Sequence, residues 1–191
     1  MYFKQIISTK KTVFNISDLR QIWQIQNKNY LKIIINRLFK RGEIIRLKRG
    51  IYAINSDYNV FELSNKIKKT SYVSLETVLV KNGVIFQDYS KSIYAVSDNT
   101  VNFIINDIKY YYFKLADAIL LNPLGIENKN TFSIASVERA IADKIYLTPN
   151  YYFDNLRNVD VKKLKKISEI YNKRTREEIK KIIRFIQKNY A

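Results

Sequence analysis

The sequence predicts an α+β chain of two domains, and three observations carry that prediction. Three helical stretches at the start lead into two short β-stretches joined through a glycine. A run of apolar and aromatic alternation fills the middle, bounded by helices with cap residues. Two amphipathic, lysine-rich helical stretches end the chain. The expected division is 1–58 and 59–191, the second part being a mixed α/β domain with a small sheet and C-terminal helices.

The elements follow in order. Met1 to Ser8 reads as a short helix with Phe3, Ile6 and Ile7 inward. The stretch TVFNI is a brief extended entry. Ser17 is expected to cap the next helix, with Asp18 in the first turn, where the helix dipole favours an anion. That helix turns Leu19, Ile22 and Trp23 inward. QNKN is a polar turn. A third helix is expected over Asn29–Arg41, stopped by Gly42 in a left-handed C′ position. EIIRLKR, Gly50 and IYAIN then make a hairpin. Three helices followed by a hairpin is the order of a winged helix-turn-helix. The glycines explain themselves in that order: Gly42 releases the chain from the third helix, and Gly50 turns it back at the wing.

The second part opens with a connecting helix, NVFELSNKI. A helix over SLETVLVKNG is expected to be capped by Ser74 and ended by Gly83. SIYAVS, VNFIIND and KYYYFKL read as strands, with Asn106-Asp107 turning between the last two. Asn122–Gly125 is a loop, and TFSIA is a further strand. SVERAIADKIYL is an amphipathic helix capped by Ser136 and closed by Thr148-Pro149. Of the two tail helices, one turns Val161, Leu164, Ile167 and Ile170 or Tyr171 to one face. The other opens on an expected capping box, Thr175 with Glu178, and turns Ile179, Ile182, Ile183 and Ile186 inward.

Charge separates the parts. The chain holds 34 Lys plus Arg against 17 Asp plus Glu, a net of +17. Residues 1–60 carry 12 basic and 3 acidic side chains, 61–150 carry 10 and 9, and 151–191 carry 12 and 5. Coding bias toward Ile, Asn, Lys and Tyr explains part of the total but not the neutral middle. Positive charge concentrated at the ends favours polyanions, because each phosphate contact releases counterions. At 47% hydrophobic the chain can bury a core. It has no apolar run of about 18 residues, and its start lacks the apolar segment of a secretory signal, so a cytoplasmic protein with no membrane partner is expected.

The third helix carries the binding chemistry. At 100° per residue, Leu31, Ile34, Ile35 and Leu38 form one stripe. Asn29, Lys32, Ile33, Asn36, Arg37 and Lys40 spread over the other side. Arginine pairs bidentately with guanine and asparagine with adenine, while lysine attracts phosphate with little sequence information. Lys28, Asn29 and Tyr30 stand at the helix start, the end that enters a major groove. Arg46, Lys48 and Arg49 on the hairpin suit phosphate or the minor groove. These ten residues, Lys28, Asn29, Tyr30, Lys32, Asn36, Arg37, Lys40, Arg46, Lys48 and Arg49, are the expected DNA contacts. A solvated basic face is the plain alternative; Tyr30 and Ile33 are also candidates for packing.

Catalytic chemistry is narrowed by what is missing. With no histidine and no cysteine, Ser-His-Asp and Cys-His catalysis, disulfides and His or Cys zinc sites are excluded. No glycine-rich phosphate loop occurs. No catalytic, cofactor-binding or metal-binding residue is expected, and the chain is not expected to be an enzyme. Asp107-Ile-Lys109 and Glu178-Ile-Lys180 have the D/E-x-K form of some nucleases, a pattern that chance supplies in a lysine-rich chain. Tyr110 to Phe113 could stack bases, but strand alternation turns half of them inward. Lys162, Lys163, Lys165, Lys166, Lys180 and Lys181 form either a solvated face or a surface for nucleic acid or an acidic partner.

Three segments resemble one family. LFKRGEIIRLKRGIYAI is similar to the end of the winged-helix region in AbiEi antitoxins, where a leucine, a Lys/Arg-Gly and an Arg-Gly-x-Tyr recur. SYVSLETVLVKNGVI resembles the opening of that family's second domain, Tyr-Ile-Ser-x-Glu-Ser-Ala-Leu ending in a glycine. IASVERAIADKIYL resembles its Ala-Ser-Pro-Glu-Lys-Ala-Leu-x-Asp helix. Val137 stands where proline is usual, and Thr77-Val78 replaces Ser-Ala. The likeness runs from about Asp18 to Leu147, and none of these motifs extends into the tail beyond Pro149. What the resemblance implies is a type IV antitoxin linked to abortive phage infection. The first domain would repress its own operon through inverted repeats in double-stranded operator DNA. The second would counteract a nucleotidyltransferase-like toxin, AbiEii, a function that in this class does not require stable contact. Two other readings stay open: a winged-helix regulator with an unrelated effector domain, and a nuclease-like defence enzyme.

Overall fold

In the computed structural model, which describes residues 1–190, the chain is α+β and divides into two units at Lys69–Thr70. The first unit contains α1 (Tyr2–Ser8), β1 (Val13–Asn15), α2 (Ile16–Trp23), α3 (Lys28–Lys40), β2 (Ile45–Lys48), β3 (Ile51–Ala53) and α4 (Val60–Ile67). The three strands form an antiparallel sheet in the order β1–β3–β2. The brief extended entry is therefore a paired strand, with Val13 opposite Ala53 and Asn15 opposite Ile51. Ile6, Phe14, Leu19, Trp23, Leu31, Ile34, Ile35, Leu38 and Ile44 make one buried apolar cluster, so both helical stripes and the sheet face close on a single core.

The cap of α2 differs from expectation. Asn15, not Ser17, accepts the N–H of Asp18 at 2.9 Å, and Asp18 accepts the N–H of Asn15 at 2.8 Å. Asn15 ends a strand with extended backbone, the geometry a capping box needs, whereas Ser17 already lies in the helix. α3 begins at Lys28, because Asn27 accepts the N–H groups of Asn29 and Tyr30. It ends as expected on Gly42 at φ +69°. The connecting helix α4 is held to the first unit. Its buried Glu62 accepts the N–H and hydroxyl of Thr12 at 2.9 and 2.8 Å, and Lys66 pairs with Asp18 at 2.8 Å.

The second unit is built on a mixed six-stranded sheet. It comprises β4 (Ser71–Val73), α5 (Leu75–Lys81), β5 (Ser92–Ser97), β6 (Val101–Ile105), β7 (Ile108–Lys114), α6 (Asp117–Leu120), β8 (Ile126–Lys129), β9 (Phe132–Ala135), α7 (Val137–Leu147), α8 (Val161–Ser168) and α9 (Lys173–Tyr190). The strand order is β6–β7–β5–β4–β9–β8, with β5–β7 and β4–β9 parallel. Asn106 and Asp107 turn β6 into β7 with φ of 48° and 61°, the paired positive values of a two-residue hairpin. β4, α6 and β8 are additions to the expected elements. Each is three or four residues long, too short to show a period. Ser136 caps α7 as expected, but Ser74 makes no cap bond and donates to Asp143 instead. At the start of α9, Asn172 accepts the N–H of Thr175 at 2.9 Å, while Glu178 accepts the N–H of Asn150, so the box anticipated from Thr175 and Glu178 is not formed. Among the described residues no helix is long and apolar enough to cross a membrane.

Candidate nucleic-acid interface

The stripe of α3 that seats it in the first unit fixes what it shows to solvent. Leu31, Ile34, Ile35 and Leu38 are 3–5% exposed. Lys28, Asn29, Tyr30, Lys32, Asn36, Arg37 and Lys40 are all exposed. Arg46 and Arg49 on the hairpin are exposed too, and Lys48 is half-buried. Burial draws the Lys48 ammonium below lysine's ordinary value. β2 and β3 shift register between Arg46 and Lys48, which leaves Leu47 unpaired and adds twist at the tip.

Between α2, α3 and the hairpin runs a groove of about 650 Å³. Lys28, Lys32 and Asn36 line it from successive turns of α3, and Arg46 and Tyr52 line it from the hairpin. Its floor is apolar, formed by Ile16, Leu31, Ile35 and Phe39. The structure thus brings four of the ten expected residues to one groove. Asn29, Arg37, Lys40 and Arg49 are exposed outside it. Tyr30 is held from the α1 side, its hydroxyl 3.2 Å from that of Tyr2. The sequence reading missed Arg20, which lines the groove from α2 and binds Gln26 at 2.6 Å. It also missed the exposed Arg41 at the C-cap of α3. Only the lone cation on the outer face of α2 could have pointed to Arg20. The first unit, residues 1–69, holds 15 basic and 4 acidic side chains, a net of +11 out of +17.

The second unit holds a different polar cluster, and it is closed to solvent. Arg139 and Asp143 are fully buried one turn apart on α7. Asp143 accepts hydroxyl bonds from Ser74 at 2.7 Å, Tyr171 at 2.6 Å and Tyr72 at 3.0 Å, and the Arg139 Nε lies 3.3 Å away. Arg139 also donates to Tyr72 and to the carbonyls of Ile119 and Leu124. Burial raises the Asp143 carboxyl above the ordinary carboxylate value, and Arg139 and the three hydroxyls hold it down against that rise. Burial pushes the Tyr72 and Tyr171 phenols up. Glu76 pairs with Lys144, whose ammonium stands 4.4 Å from the Tyr151 ring centre.

The nuclease-like triplets do not converge. Asp107 sits at the positive-φ hairpin turn, and Glu178 is bound to the Asn150 backbone. Among the described residues no group of three or more His, Cys, Asp or Glu is placed to hold a metal ion. In the aromatic run, Tyr110 and Tyr112 are buried, while Tyr111 and Phe113 stay half-buried and stack with Tyr94 at 5.1 and 6.4 Å. Burial, with Glu76 nearby, leaves the Tyr94 phenol pushed up to about 12. Comparison with protein families and with curated proteins finds no match to the chain.

Proposed function

We propose that the chain is a DNA-binding antitoxin of the AbiE-like kind that represses its own operon. In this reading the first unit is a winged helix-turn-helix, with α3 in the major groove and β2–β3 as the wing. The observation that carries it is the exposed cationic side of α3, with Arg46 and Arg49 exposed on the hairpin, opposite a buried apolar stripe. Asn29, Lys32, Asn36 and Arg37 read bases; Lys28, Lys40, Arg46, Lys48 and Arg49 hold phosphates. The partner is double-stranded operator DNA with inverted repeats, in the cytoplasm. The second unit counteracts a nucleotidyltransferase-like toxin. Support for that half comes from the two segments whose likeness suggests it: Tyr72 and Ser74 from one, and Arg139 and Asp143 from the other, meet in a single buried network.

Anisotropy with the duplex upstream of the chain's own reading frame tests the DNA assignment. The Lys32→Ala/Arg37→Ala/Arg49→Ala variant should lose binding, and its salt dependence should flatten by about one unit for each phosphate contact removed. Arg37→Ala alone should relax specificity at one base pair by about 1–3 kcal/mol. Unchanged affinity in the triple variant overturns the assignment. Co-expression with the adjacent gene tests the other half, which fails if the neighbour is toxic and the intact chain gives no rescue.

A further inference from the structure

In the second unit, α8 and α9 border a groove of about 870 Å³ that neither the DNA reading nor the buried network uses. Lys173, Arg176, Lys180 and Arg184 line it from α9. Their spacing of three, four and four residues sets them on one face, stepping about 4.5–6 Å along the axis. Lys162 and Lys165 line the opposite wall from α8. All six cations are exposed. Between the walls lie Val161 and Ile183, both half-buried, and the aliphatic stems of the lysines and arginines extend that apolar floor. Glu169 and Glu177 are the two carboxylates in the lining, and Glu177 is tied to Lys180 at 2.8 Å.

Two rows of cations over an apolar floor ask for a ligand that is acidic on its flanks and greasy along its middle. A helix with Glu or Asp at i and i+4 repeats its carboxylates about every 6 Å, in step with the α9 row. Its apolar edge would cover Val161 and Ile183. Nucleic acid fits less well. Its phosphates would meet Glu169 and Glu177, and no aromatic ring stands among the described lining residues for a base to stack on. We propose that the α8–α9 groove docks an acidic amphipathic helix of a partner protein. The proposal stands on the second unit alone and is independent of the operator reading.

The test uses the full chain and two labelled synthetic peptides of about 14 residues, four helical turns. One carries Leu at the apolar positions of a helix and Glu elsewhere; the other has the same composition with the Leu residues scattered. The patterned peptide should bind clearly more tightly than the scattered one. Lys180→Glu/Arg184→Glu, both on exposed positions, should weaken it by about tenfold, as two reversed surface pairs imply. Ile183→Asp should weaken it as well, with circular dichroism confirming that both variants fold. Equal affinity for the two peptides overturns the proposal, as does an unchanged affinity in the charge-reversed chain. A single-stranded RNA whose binding falls in Lys180→Glu/Arg184→Glu, when the patterned peptide does not bind, assigns the groove to nucleic acid and likewise overturns it.

Discussion

Arg139 brings a charged guanidinium to a position with no exposed surface, and every direction in which it donates meets an oxygen. Removing one member of such a pair leaves the other charged and buried. Arg139→Met should therefore cost about 3–5 kcal/mol in urea unfolding, with Tyr72 and Asp143 losing their shared donor. Glu138, 5% exposed, behaves differently. Burial pushes its carboxyl up, but bonds from Lys163, its own backbone and Ser136 outweigh that, and the net value lies below the ordinary one. A depressed folded value means the ionised group stabilises the fold at neutral pH, and the contribution goes as pH falls through the folded value. Glu138→Gln should thus be less stable at pH 7 and lose less on acidification than the parent. Asp143 pulls the other way, but equally in both proteins, so urea curves at a series of pH values isolate Glu138. The sequence displays Ser136, Glu138, Arg139 and Asp143 at helical spacing. It does not display that Tyr72, Ser74 and Tyr171 arrive from 71, 69 and 28 residues away. Periodicity assigns a side chain to a face and is silent on which distant hydroxyl the face meets.

At the scale of the element, turns and caps decide where helices begin and how closely they approach. Gly125, at φ +78°, lies in the loop that Arg139 holds by its carbonyls. A Cβ there would stand 2.7 Å from Ile167 Cδ1 and 2.9 Å from Arg139 Cβ. Gly42, at φ +69°, faces open space. Gly42→Ala should cost only the left-handed backbone, about 1–2 kcal/mol. Gly125→Ala should add overpacking of about 1–3 kcal/mol. The difference is read from the urea midpoints of the two variants. Helices and their stripes were legible because apolar spacing reports them directly. Cap identities were less so. Asn15 and Asn172 each lie within three residues of the serine or threonine expected to cap. At Asn15 what selects is the extended backbone with which β1 ends, a property of the preceding strand and not of the residue type. At α9 the asparagine one residue before the helix takes the bond, while Thr175 already lies inside it. Ser74 has the cap's position, but its hydroxyl goes to Asp143.

For the whole molecule, the division at Lys69–Thr70 assigns α4 to the first unit, through Thr12–Glu62 and Asp18–Lys66. A cut near residue 60 would strip that helix away. Residues 1–69 alone should unfold cooperatively in urea and keep a steep salt dependence of DNA binding, whereas 1–58 should fold poorly; circular dichroism and anisotropy check both. The helices and the β2–β3 hairpin of the first unit were readable because each declares itself over a few adjacent residues, although the pairing of β1 with β3 and the Thr12–Glu62 tie span about 40 to 50 residues and were not. Nor was the second sheet, since β4 pairs with β5 on one side and with β9, some 60 residues later, on the other. That wiring has a consequence for a chain emerging from the ribosome. Everything the first unit needs has been synthesised once Lys69 is out. The sheet beyond it must wait for β9, and Asp143 must wait for Tyr171, roughly 5–20 s later at ordinary elongation rates of about 5–20 residues per second. During that interval each nascent copy carries all the residues of the first unit and only part of those of the second, so the two cores close one after the other.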